Sequence, residues 1–302
     1  MSASAREVRI AAYAKINLRL EILGKRSDGY HELRTIFQTV SLHDDLRLRP
    51  AAKRGIALSI HGNEGLSREP VEHNLVYRAV AALQKELNLR AGVEIELHKR
   101  IPSGGGLGGG SSDAAAALVG YLRLTGRTLP LERLMELGAS LGADVPFFLL
   151  GGRALGVGKG DEIYPLADMP RRTVAIVVPR EVRVPTVEAY KWVAAPALTK
   201  TAVTPKLMRF CALSWSARGS GLGNDFEAPV FRRYPRLEKI KKGLLRDGAT
   251  EALLAGSGSA VIGIFPSPAK ARRAVCGFPL DQTFVCETLP RERYLRLMKR
   301  PV

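Results

Sequence analysis

Six glycines fall within seven residues, Gly104-Gly105-Gly106-Leu107-Gly108-Gly109-Gly110, between Ile101-Pro102-Ser103 and Ser111-Ser112-Asp113. Glycine takes positive φ without penalty and lets backbone N–H groups come close to a ligand. Ser111 or Ser112 is a natural N-cap, so the string is expected to feed a helix N-terminus, where free N–H groups and the helix dipole favour an anion. Successive N–H groups in such a loop also form an anion-holding nest. The chemistry implied is a cradle for a di- or triphosphate. The alternative, a flexible glycine linker, sits poorly with the strand-like and helical runs on either side. The P-loop pattern would require lysine at position 110, where Gly110 stands. The dinucleotide fingerprint matches at Gly104, Gly106 and Gly109, but the acidic residue at the right distance, Glu132, lies inside a helical pattern.

Four other places carry side chains suited to chemistry. Lys15 and Asn17 lie two apart on one face of an alternating run, whose other face is Ile16, Leu18, Leu20 and Ile22; ordinary solvated alternation explains them equally well. Tyr30 and His31 follow the turn Ser27-Asp28-Gly29 and could stack on and read a nucleobase, or simply pack and face solvent. Asp144 stands between a helix end and the apolar run Val145-Pro146-Phe147-Phe148-Leu149-Leu150. A carboxylate there is paired or poised for chemistry, or is an ordinary helix cap ahead of Pro146; cap and catalyst both stay open. Lys99 enters the glycine loop and could reach a phosphate. A second glycine string, Gly256-Ser257-Gly258-Ser259, is a simple turn or a further source of N–H groups.

The elements that must position these residues follow from periodicity. Strands are expected at 14–22, 33–40, 46–48, 56–60 and 93–97, and Asn74 caps a helix through Val76, Ala79, Val80, Leu83 and Leu87. Helices are expected at about 112–124 and after Pro130, the latter ending at Gly138 or Gly142. A hairpin is punctuated by Gly151-Gly152 and Gly156 to Gly160. The second half is expected to hold a strand at 173–178, a helix after Pro185 carrying Tyr190 and Trp192, helices near 205–213 and 235–246, and a strand at 261–265. The domain boundary is placed between 158 and 159.

Bulk properties agree with a globular protein. The chain has 302 residues, long enough for two domains. Its 46 Lys and Arg against 29 Asp and Glu suit an anionic partner or describe a solvated surface. Basic clusters occur at Arg232-Arg233, Lys239-Lys241-Lys242 and Arg291 to Arg300, without the aromatic interleaving that nucleic-acid binders use. Cys211, Cys276 and Cys286 lack metal spacing and read as buried thiols in a reducing cytoplasm. No apolar run is long enough to span a bilayer, and residues 1–9 resemble neither signal nor transit peptide.

Three stretches in order, Ala14-Lys15-Ile16-Asn17-Leu18 with Arg26 to His31, Pro102 to Ala115, and Leu141 to Phe147, resemble the GHMP small-molecule kinases. The Arg26-to-His31 segment narrows the resemblance to the 4-diphosphocytidyl-2-C-methyl-D-erythritol kinase branch. Gly256 to Ser259 and Asn224-Asp225-Phe226-Glu227 match further family segments. The resemblance implies a two-domain α/β (α+β) fold, with a ribosomal-protein-like N-terminal ATP-binding domain (1–158) and a ferredoxin-like C-terminal domain (159–302). It implies ATP-dependent phosphorylation of the 2-hydroxyl of 4-diphosphocytidyl-2-C-methyl-D-erythritol, with Mg²⁺ accompanying ATP and metal ligands unassigned. Asp144 would be the general base and Lys15 its partner. Asn17, Tyr30, His31, Thr186 and Tyr190 would face the substrate. Asn74, Lys99, Pro102, Gly104, Gly105, Gly106, Leu107, Gly108, Gly109, Gly110, Ser111 and Ser112 would hold ATP. The partners implied are these two small molecules, with no nucleic acid and no membrane, on a cytoplasmic monomer or weak homodimer. Asp113 stands where many members have asparagine. The competing readings are another GHMP kinase, acting on homoserine or mevalonate, and a basic nucleic-acid-binding protein.

Overall fold

The structure is a computed structural model that describes residues 7–193 and 222–299. The expected helix near 205–213 and Cys211 lie outside the described residues.

Two sheets organise the chain. The first contains β1 (Val8–Lys25), β2 (His31–Ala51), β3 (Ile56–His61), β4 (Gly92–His98), β5 (Arg153–Val157), β6 (Glu162–Pro165) and β8 (Gly223–Asn224). Its path is β3-β4-β2-β1-β8, with β5 pairing β2 and β6 pairing β5. The two strands expected at 33–40 and 46–48 are one long strand, β2, antiparallel to β1 over most of its length. The second sheet is antiparallel, in the order β11 (Gln282–Glu287), β7 (Thr173–Val178), β10 (Val261–Phe265) and β9 (Glu251–Leu254). The β5–β6 hairpin straddles the boundary expected at 158/159, and both of its strands pair within the first sheet.

Helices cover these sheets. They include α1 (Glu64–Ser67), α2 (Leu75–Glu86), α3 (Gly109–Thr125), α4 (Leu131–Leu141), α5 (Val145–Leu150) and α6 (Thr186–Trp192). In α2 the buried residues Val76, Ala79, Val80 and Leu83 recur at helical spacing, and Asn74 accepts a hydrogen bond from the Val76 N–H at 2.9 Å. Residues 112–118 of α3 are all buried, because Ala114 to Ala117 are small enough to let β1 and α2 approach. The Arg291–Lys299 stretch, read from sequence as a basic cluster, forms a helix whose Tyr294 and Met298 are buried in the core of the first unit.

Strand β7, buried on both faces, joins the halves. Val174, Ile176 and Val178 pack with Ile16 and Leu18 of β1, while Ala175 and Val177 pack under the helices Pro235–Arg246 and Pro268–Val275. The middle of β1 therefore lies where the two sheets meet. Cys286 is buried as expected, and burial pushes its thiol up to about 12. Cys276 is exposed instead, at the end of its helix.

Candidate active site

Lys15 and Asn17 are brought to the junction by β1. The β1–β2 register shifts between Tyr13 and Lys15 and again between Asn17 and Arg19. Such irregularities bend a strand and re-aim its side chains. Neither residue is solvated: Lys15 is 4% exposed and Asn17 1%. The Lys15 Nζ donates to Asn17 Oδ1 at 2.9 Å and lies 3.4 Å from Asp144 Oδ2. Asn17 Nδ2 in turn donates to Thr35 Oγ1 at 2.7 Å.

Asp144 occupies the N-cap position of α5, yet its carboxylate caps no backbone N–H. The Val145 N–H donates to the Gly142 carbonyl instead. Of the two sequence readings for Asp144, the geometry therefore excludes the capping one. The carboxylate is partly exposed and turned toward Lys15.

The glycine loop has the expected setting with one correction. The cap of α3 is Gly108, in the left-handed region, so the helix begins three or four residues earlier than a Ser111 or Ser112 cap would allow. Ser112 is instead buried within the helix, and its hydroxyl donates to the Tyr13 carbonyl at 2.7 Å, which ties the helix to β1. The first N–H groups of α3 have no intrahelical carbonyl to meet. Gly106 is indispensable on steric grounds: a Cβ there would lie 2.0 Å from the Ala255 carbonyl oxygen. The second glycine string thus packs backbone to backbone against the first, and the Ala260 N–H donates to the Gly105 carbonyl at 3.2 Å. Asn224 anchors that second string, its Nδ2 donating to the carbonyls of Leu254 and Gly256 at 2.9 and 2.7 Å.

Two cavities meet at this loop. The larger, of about 690 Å³, is lined by Lys15, Asn17, His31, Asp144, Thr186 and Tyr190 among others. The smaller, of about 390 Å³, is lined by Asn74, Lys99, Pro102 and the glycine loop. Gly106, Gly108 and Ser111 line both. In the larger cavity His31 stacks on Tyr190 with ring centroids 5.0 Å apart, and Tyr190 meets the edge of Phe226. Burial and the nearby Lys25 charge hold the His31 imidazole below its ordinary value. Burial, with the Asp144 charge, pushes the Tyr190 phenol up to about 12. Tyr30 is 60% exposed, with the Lys159 ammonium 4.9 Å above its ring. Thr186 Oγ1 lies 3.0 Å from Ser257 Oγ.

Lys99 departs from expectation. Its ammonium lies beneath the loop and bonds Asp44 and Asp113, the latter at 2.6 Å. The side chain is 3% exposed, is held by Asp44 and Asp113, and still lines the smaller cavity. Burial opposes its charge, but the two carboxylates prevail and keep the ammonium above its ordinary value. Asp44 also accepts the N–H groups of Arg100 and Ile101, so the triad fixes the entry to the loop. Sequence reasoning missed Asp44, Thr35 and Lys159. No local signal marks the first two, since their roles depend on partners in distant strands.

Residues 74–152 match the family described as GHMP kinases N terminal domain, and residues 206–279 match GHMP kinases C terminal. A 4-diphosphocytidyl-2-C-methyl-D-erythritol kinase of Solibacter usitatus (strain Ellin6076) is 43% identical over 301 residues, covering 98% of this chain and 93% of that protein. The kinase of the same name from Pelotomaculum thermopropionicum is 41% identical over 88% of this chain and 92% of its own length. A crystal structure of 4-(cytidine 5'-diphospho)-2C-methyl-D-erythritol kinase superposes with a TM-score of 0.75 at 35% identity, covering 93% of this chain and 98% of that one. The mixed α/β architecture in two units is that of this structure. With these similarities extending over nearly its whole length, the chain belongs to the GHMP kinase family, in the branch of the 4-diphosphocytidyl-2-C-methyl-D-erythritol kinases.

Proposed function

We propose that the chain transfers the γ-phosphoryl group of ATP to the 2-hydroxyl of 4-diphosphocytidyl-2-C-methyl-D-erythritol, a step of isoprenoid synthesis by the non-mevalonate route. The observation that carries this reading is the meeting of two cavities at one glycine loop, with the Lys15–Asp144 pair on the acceptor side. ATP occupies the smaller cavity, and its phosphates lie along the N–H groups of the loop and of the first turn of α3. The acceptor occupies the larger cavity, with its base against His31 and Tyr190. A base that enters between those rings must part them.

Phosphoryl transfer asks for position and charge neutralisation more than covalent chemistry. The acceptor oxygen bonds to the γ-phosphorus as the bond to ADP breaks, and the hydroxyl proton passes to Asp144. Among the described residues Asp144 is the only carboxylate lining the larger cavity, which suits it to general base. Lys15 neutralises charge on the transferring group. Among the described residues no three His, Cys, Asp or Glu side chains converge as a metal cage. Mg²⁺ arriving with ATP would neutralise charge on the phosphates, and no protein ligand is assigned to it.

The reading takes the enzyme as a cytoplasmic monomer or weak homodimer. Among the described residues no helix is long and apolar enough to cross a membrane. The test is ATP turnover with Mg²⁺, comparing the cytidylyl substrate with homoserine and mevalonate. Phosphorylation of the cytidylyl compound alone is expected; preference for either of the others would assign the chain a different acceptor.

A further inference from the structure

We propose that Thr35 is a positioning residue, which fixes the orientation of the Asn17 amide and through it the place of the Lys15 ammonium. The inference rests on the phosphotransfer reading for its effect on rate, but its geometry stands alone. An ammonium only donates, so Asn17 must present Oδ1 to Lys15, as it does at 2.9 Å. The amide nitrogen then points the other way and meets Thr35 Oγ1 at 2.7 Å. The Thr35 hydroxyl hydrogen is committed to the Arg19 carbonyl, also at 2.7 Å. A carbonyl only accepts, so the hydroxyl oxygen is left as an acceptor for Asn17.

The chain of donors therefore runs in one direction, from Lys15 to Asn17, from Asn17 to Thr35 and from Thr35 to Arg19. A reversed amide would set its NH₂ against the ammonium and its oxygen against a hydroxyl whose hydrogen is already used. Both bonds would be lost. Asn17 and Thr35 are each 1% exposed, so bulk water cannot replace either bond. The hydroxyl also bridges the register shift between Asn17 and Arg19, contacting both sides of it. It holds the irregular backbone in the form that aims Lys15 and Asn17 into the cavity.

The other threonine lining the cavity does not do this: Thr186 is engaged with Ser257.

The experiment compares Thr35→Val, which keeps the branched shape, with Thr35→Ser, which keeps the hydroxyl. In Thr35→Val, kcat is expected to fall about ten- to hundredfold, the size of one buried hydrogen bond left unmade, while KM for both substrates stays within about twofold. Thr35→Ser is expected to recover most of kcat. In an Asn17→Ala background the valine change should cost little further, because the amide it orients is gone. If the valine variant does not fold, Thr35→Ala takes its place. An unchanged kcat, equal losses in the serine and valine variants, or full additivity with Asn17→Ala would overturn the proposal. Hydrogen exchange of the Asn17 side-chain amide, slow in the parent and fast in Thr35→Val, tests the orientation without turnover. A parent that phosphorylates none of the three acceptors would instead count against the phosphotransfer reading.

Discussion

The Lys15 ammonium stands between Asn17 Oδ1 at 2.9 Å and Asp144 Oδ2 at 3.4 Å. The first contact ties it to its own strand. The second reaches the start of a helix that follows the glycine-loop helix and its neighbour. Asp144 spends none of its hydrogen-bonding capacity on capping, so its loss should be felt in chemistry and not in folding.

Asp144→Asn is accordingly expected to lower kcat by about 10²–10⁴, the usual contribution of a positioned base, with ATP affinity and Tm close to those of the parent. Steady-state kinetics, nucleotide titration and thermal melting check the three parts separately. Turnover within a few-fold of the parent would remove Asp144 from the role of base.

The glycine loop offers a paired comparison. Gly104 and Gly106 have nearly the same φ, +74° and +77°, but a Cβ at Gly104 meets nothing within 4 Å and one at Gly106 meets the Ala255 carbonyl at 2.0 Å. Gly104→Ala should cost about 1–2 kcal/mol of left-handed strain and retain nucleotide binding. Gly106→Ala carries the same strain and also forces the two glycine strings apart, so it should lose nucleotide binding as well as stability. Similar melting curves and affinities for the two variants would contradict the backbone contact.

In the proposed reading the base is recognised by the stacked rings of His31 and Tyr190. His31→Ala removes one face of the His31–Tyr190 stack and is expected to raise KM for the cytidylyl substrate about tenfold, as loss of about 1–2 kcal/mol of stacking would. KM for ATP should be unchanged. An equal rise for ATP would place His31 outside the acceptor site.

The buried triad makes stability depend on pH. Burial pushes the Asp113 carboxyl up to about 8, with the Asp44 charge adding to the rise and Lys99 opposing it. A group raised above its unfolded value binds its proton more tightly in the folded state. Its stabilising contribution is therefore complete below about pH 4 and is lost as pH rises through about 8. Asp113→Asn holds that position neutral at every pH. The Tm of the variant relative to the parent should thus climb between pH 5 and pH 9. A difference that stays flat across that range would show that Asp113 does not titrate there.

Much of the architecture was legible in local pattern. The strand at 173–178, the helix from Pro235 to Arg246 and the strand at 261–265 have the expected bounds, because burial on both faces or along one stripe leaves a plain periodic signature. The glycine string announced a close backbone approach, since only glycine tolerates those dihedrals and that contact. Lys15, Asn17, His31, Asp144 and Tyr190 were nameable from sequence, and they line one cavity.

Other features needed the tertiary structure. Alternation could not say whether Lys15 and Asn17 faced solvent or a cleft, because both surfaces accept polar side chains; Gly108, Gly256 and Asp144, brought against that face from distant parts of the chain, decided it. A serine after glycines looks like a cap, but Ser112 found the Tyr13 carbonyl across the core, and the helix began at Gly109. Lys99 looked free until Asp44, on a distant part of β2, was folded beside it. Backbone preference and hydrophobic period act over a few neighbouring residues and are written in them. Hydrogen-bond partners and charge pairs are chosen by proximity in space, and that was decided only when strands and helices distant in sequence packed together.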